Sequence, residues 1–205
     1  MLDMLEMLTI GFVIGMTGAI VPGPMLFATI DGSLKTGWKA GPEVVVGHAS
    51  LELAICILVI LGITAVSDSI LMTISLFGGI ILVVFGMLTI RNAGLSESSV
   101  KSYSPVKVNN FSAGFITSAA NPYFWIWWLA AGSALVLRGL EISLLAAIMF
   151  IVGHWLADIG YFTAVSASFS KGKKLMSTKT YERVLVSCGL FLIIFGMWFI
   201  AGIVI

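Results

Sequence analysis

The sequence predicts an all-α polytopic membrane protein of six transmembrane helices, built as two inverted three-helix repeats in which the first helix of each is broken. Three observations predict it. Of the 205 residues, 59% are hydrophobic and 10% charged, whereas soluble chains carry about one-quarter charged residues. A core of this size cannot hide so much apolar surface, so the surplus must face lipid. The apolar residues fall into six windows, each near the length of about 20 residues that crosses a bilayer. Finally, the second half of the chain repeats features of the first.

The windows are 7–30, 40–64, 70–90, 111–137, 141–166 and 183–204. Pro22-Gly23-Pro24 lies inside the first. Two prolines remove backbone donors there, so the helix breaks and Pro24 opens a second half. Gly11 and Gly15, with Gly18 beyond, have a GxxxG spacing that suits close packing, either within the chain or between copies in a homo-oligomer. The second window carries His48 and Glu52, four apart and therefore on one face. Glu43, after Pro42, complements the start of that helix. The third window runs without interruption behind Asp68, which reads as a solvated loop residue. The polar stretch Arg91–Asn110 then divides the chain into a first repeat (1–91), a cytoplasmic linker (92–110) and a second repeat (111–205), all in one transmembrane domain.

The fourth window breaks at Asn121-Pro122. Its aromatic run, Tyr123, Phe124, Trp125, Trp127 and Trp128, fits packing or interface anchoring better than a cage for an ammonium group. The fifth carries His154 and Asp158, again four apart. Between the fifth and sixth, Ser168–Glu182 reads as a basic loop. Every Lys and Arg except Arg138 lies on the side reached after the first, third and fifth windows, which the positive-inside rule makes cytoplasmic, with both termini outside.

Other features exclude function classes. A formal charge of +1 gives no field for nucleic acid. Asp3 and Glu6 stand where a signal peptide would be basic, so the first segment is expected to remain. Cys56 and Cys188 form no CxxC pair and read as small core residues. There is no phosphate-binding loop and no HExxH pair, so neither ATP drive nor metalloenzyme chemistry is indicated, and no cofactor is expected.

The repeat is visible in the residues themselves. Val46-Gly47-His48 followed by Glu52 matches Val152-Gly153-His154 followed by Asp158, and Phe85-Gly86-Met87 matches Phe195-Gly196-Met197, with Gly79 over Gly189. The Pro22-Gly23-Pro24 break corresponds to Asn121-Pro122. Because each unit has an odd number of spans, the second enters the membrane from the opposite side, a plan common among secondary transporters.

Two sets of residues point to chemistry. Half-helices opening at Pro24 and Pro122 direct unpaired N–H groups towards the membrane middle, where they favour an anionic group such as an amino-acid carboxylate. Pro22, Gly23, Pro24, Asn121 and Pro122 are therefore the substrate-site candidates. His48, Glu52, His154 and Asp158 are ionisable groups near mid-membrane, which mark proton or ion pathways. The alternative is a divalent cation held by the two imidazoles and two carboxylates.

Gly18-Ala19 leading into Pro22-Gly23-Pro24, then Gly37-Trp38-Lys39-Ala40-Gly41, Gly47-His48, and Ser118 through Asn121-Pro122, resemble the LysE/RhtB family of amino-acid exporters over essentially the whole chain. The resemblance implies export of amino acids or related small metabolites across the cytoplasmic membrane in exchange for protons, with Pro22, Gly23, Pro24, Asn121 and Pro122 at the central site. The histidine–carboxylate pairs are not required of every member, and their proton role rests on burial and duplication. The charge distribution makes one expectation directly testable: a tag fused after Ile205 is accessible from outside intact cells. A cytoplasmic tag would overturn either the helix count or the orientation.

Overall fold

A computed structural model describes residues 2–62, 68–93 and 109–202. Among the described residues there are helices and no strands, and six helical stretches are long and apolar enough to cross a membrane. The chain is a multi-pass membrane protein. In order, its helices are α1 (Leu2–Ile20), α2 (Pro24–Thr36), α3 (Ala40–Ile60), α4 (Asp68–Ala93), α5 (Asn110–Ala119), α6 (Pro122–Trp127), α7 (Ser133–Ile142), α8 (Leu144–Gly172) and α9 (Thr178–Ala201). A π-helical turn, Trp128–Gly132, joins α6 to α7.

Both proline motifs break their helices. The first span stops at Ile20 and resumes with Pro24 in the first turn of α2, where no backbone N–H is needed. The fourth span stops at Ala119, and Asn121 caps α6 by accepting from the Tyr123 N–H at 3.0 Å.

Three sequence expectations need correction. Ser168–Glu182 is not a loop: α8 continues to Gly172, a 3-10 turn covers Lys173–Leu175, and α9 begins at Thr178 behind the Ser177 cap. Ser168 donates to its own helix at Ala164 O, 2.7 Å away. Polar residues here mark where the lipid-facing surface ends, while the backbone ladder continues. Lys35, expected in the loop after the first window, stands in the last turn of α2, and Asp68, expected in a loop, opens α4. Most of the expected linker, residues 94–108, lies outside the described residues.

Packing is organised by glycines, because lipid tails are as apolar as leucine and helices gain most from close backbone approach. α1 lies against α8, α3 against α5, and α4 against α9. A Cβ on Gly47 would strike the Phe111 carbonyl, and one on Gly153 the Leu8 carbonyl. One on Gly114 would strike Val44 O, and one on Gly11 would strike Phe150 O. Gly79 meets Gly196 and Gly86 meets Gly189. Each contact thus recurs with the two halves of the chain exchanged. Gly11 and Gly15 spend their GxxxG face on α8, inside the chain. Outward faces carry large apolar residues such as Phe77, Ile81, Ile194 and Met197, as contact with lipid requires.

Gly153→Val is therefore expected to force α1 from α8 and cost about 1–3 kcal/mol, read as a lower melting temperature in detergent. Gly160→Val, on the same helix with open space around it, should melt like the parent; equal melting of both variants would overturn this account of the packing.

Candidate functional site

α3 and α8 cross in opposite directions, and the residues at their crossing are the two duplicated pairs. His48, Glu52, His154 and Asp158 offer ligand atoms that all lie within 4.8 Å of one another. Glu52 is fully buried, and His154 and Asp158 nearly so. The Oε1 atom of Glu52 is 2.9 Å from His48 Nε2 and 3.1 Å from His154 Nε2. Asp158 Oδ2 stands farther off, 3.5 Å from His154 Nε2 and 3.8 Å from His48 Nε2.

Three further residues complete the arrangement. Trp128 Nε1–H donates to Glu52 Oε1 at 3.1 Å, and Trp155 Nε1–H donates to Glu52 Oε2 at 2.8 Å. Ser118 Oγ is 2.6 Å from His48 Nδ1 and 2.8 Å from Gly114 O. With the hydroxyl proton on Gly114 O, Ser118 accepts from Nδ1–H, and the contact of Nε2 with Glu52 then needs a proton of its own. No motif in the sequence pairs these tryptophans with Glu52. The only sequence signals were the position of Trp155 beside His154 and of Trp128 at the end of an aromatic run. That run otherwise packs as expected: Phe124 lies edge-on to His48 at 5.3 Å, and Tyr123 stacks on Trp198 at 5.3 Å.

The two breaks flank this cluster. Met25 and Leu26, behind Pro24, pack against the cluster of Ala19, Val45 and Phe162, the last two about one helical turn from His48 and Asp158. Behind Asn121-Pro122, Phe124 reaches His48 and the π turn delivers Trp128 to Glu52. A π turn inside a helix is rare and tends to occur at functional sites. The starts of the half-helices differ. Asn121 caps α6 with its own side chain, whereas Gly23 gives α2 no side-chain cap. Glu43 accepts from Asn110 Nδ2 at 2.7 Å, tying the first turn of α3 to the start of α5.

Four donors so close together form a set that a divalent cation could occupy. As the structure stands, Glu52 accepts from two indoles and is approached by two imidazoles.

A protein-family model described as LysE type translocator matches residues 16–202. No curated protein and no solved structure matches the chain. The matched span contains both breaks and all four clustered residues.

A second buried charge lies on α2. Asp31, 6% exposed, is paired with Lys35 one turn later, whose Nζ sits 2.6 and 2.7 Å from the two carboxylate oxygens. The pair follows the helical i, i+4 geometry, with the lysine extending towards the helix end. Lys35→Met leaves Asp31 buried without its cation and is expected to lower stability by at least about 1–3 kcal/mol, whereas adding Asp31→Asn should restore much of the loss. Thermal melts of the single and double variants measure this, and an undiminished loss in the double variant would show that the charge pairing is not what matters.

Proposed function

The chain belongs to the LysE type translocator family, and on that premise we propose that it exports amino acids or related small metabolites across the plasma membrane in exchange for protons. A membrane transporter moving a small molecule is the function of the family as such. The amino-acid cargo, the proton coupling, the plasma-membrane location and the extracytoplasmic termini are our reading.

The observation that carries the reading is the buried cluster. Four ionisable side chains in the middle of a membrane protein are costly unless they serve a pathway, and here the two halves of the chain supply one imidazole and one carboxylate each. A proton can pass between Nε2 of a histidine and a carboxylate without any residue leaving the cluster. The broken first helices supply the substrate site. The N-terminus of α2, opened by Pro22-Gly23-Pro24, favours the carboxylate of the solute, and the Asn121-Pro122 break lets α6 shift relative to α5. In alternating access, the two repeats, related by inverted topology, rock about the α3–α8 crossing and expose the site to one side at a time. Proton release to the cytoplasm and substrate release outside then alternate at neighbouring sites. Neither ATP nor a cofactor enters the cycle.

Uptake of a panel of radiolabelled amino acids into proteoliposomes, with and without an imposed pH gradient, tests this. Gradient-driven accumulation of one amino-acid class is expected, falling at least about tenfold, equivalent to about 1.4 kcal/mol, in the Glu52→Gln, Asp158→Asn double variant. If folded protein moves no amino acid but carries zinc or cadmium, with metal-dependent thermal stabilisation lost in the His48→Ala, His154→Ala variant, a divalent-cation transporter takes the place of this reading.

A further inference from the structure

We propose that the two carboxylates of the cluster divide the work: Asp158 takes up and releases the coupled proton, while Glu52 is a standing anion that holds the cluster together. The inference rests on the proton-coupled reading of the cluster and assigns the proton to one residue within it.

The duplicated pairs are equal in sequence but unequal in surroundings. Glu52 accepts an indole N–H on each oxygen, from Trp128 and Trp155, and both imidazoles approach its Oε1 within 3.1 Å. Asp158 Oδ2 is buried without a hydrogen-bond partner among the described residues, its histidine contacts lying at 3.5 and 3.8 Å. A carboxylate supplied with donors on both oxygens has its anionic form satisfied. One with a bare buried oxygen has a place for a proton, and once protonated it gains an O–H to donate.

The asymmetry has a sequence origin. By the register that pairs Gly47 with Gly153, the counterpart of Trp155 is Ala49, which has no donor to offer Asp158. By the register that pairs Gly11 with Gly114, the counterpart of Ser118 is Gly15. A Cβ on Gly15 would touch His154 Nδ1, and that nitrogen is buried without a partner among the described residues. The second half therefore carries the supporting Trp155 and Ser118, while the first has Ala49 and Gly15 at the equivalent places. The groups that face Asp158 are Glu52 and His48 from α3 and His154 from its own helix. α1 brings Gly11 and Gly15 to this stretch of α8, and α7 meets α8 away from it, through Gly139 at Ala147. The charges of α2, Asp31 and Lys35, pair with each other.

The test reads protonation directly and needs no substrate. Infrared difference spectra of the protein in lipid nanodiscs, stepped in pH, report the C=O stretch of a protonated acid in a dry environment. The parent is expected to show one such band on acidification, absent in Asp158→Asn, kept in Glu52→Gln and shifted in frequency in Asp158→Glu. A band lost in Glu52→Gln but kept in Asp158→Asn, or no band in the parent, would overturn the assignment. Trp155→Phe tests the positioning role. A second acid band from Glu52 is expected, and a spectrum identical to the parent would remove that tryptophan from the argument. Failure of amino-acid transport with these bands intact would count against the transport reading and leave the division of labour standing.

Discussion

Inside a bilayer no water is available to repair an unpaired polar group, and the α3–α8 crossing is where this chain meets that constraint. Two acids and two histidines are carried on apolar helices. Each would be costly alone, yet in one cluster they satisfy much of each other's need. The rest of the fold keeps that crossing tight. α1 and α5 press their glycine faces on α8 and α3 so closely that no side chain fits between the backbones, which excludes lipid from the flanks of the cluster. α4 and α9 close on one another through a further pair of glycine contacts.

Backbone and side chains obey different symmetries here. The glycine contacts recur with the halves exchanged, as expected if a duplicated unit retained its packing surfaces. The polar shell does not recur: Ser118 and Trp155 support His48 and Glu52, while Gly15 and Ala49 stand in the corresponding places. Packing surfaces constrain a backbone across its whole length. A single hydrogen-bond donor can be exchanged for a small residue without moving a helix, so the chemistry of the two halves can diverge inside a common frame.

The two breaks interrupt this frame close to the cluster. A continuous helix resists bending because its backbone bonds form one ladder, and the two proline motifs interrupt that ladder beside the cluster. On the second break, the π turn places Trp128 directly on Glu52. A displacement of α6 would therefore alter a hydrogen bond to the charged centre.

The sequence by itself determined the membrane class, the number of spans, the two breaks and the four ionisable residues, because each is written in local composition or short spacing. Apolar run length reports a span, proline reports a break, and an i, i+4 pair reports a shared helix face. It misjudged the ends of α8 and α9, where polar residues continue a helix beyond lipid. What only the tertiary structure decided is which groups meet. Trp128 and Trp155 lie on different helices from Glu52, Ser118 is distant in the chain from His48, and Asp31 becomes a buried charge only because α2 packs against the bundle. Whether two residues share a hydrogen bond depends on the rotation and crossing of whole helices. Those are settled by the sum of all interhelical contacts, and no local stretch of sequence encodes that sum.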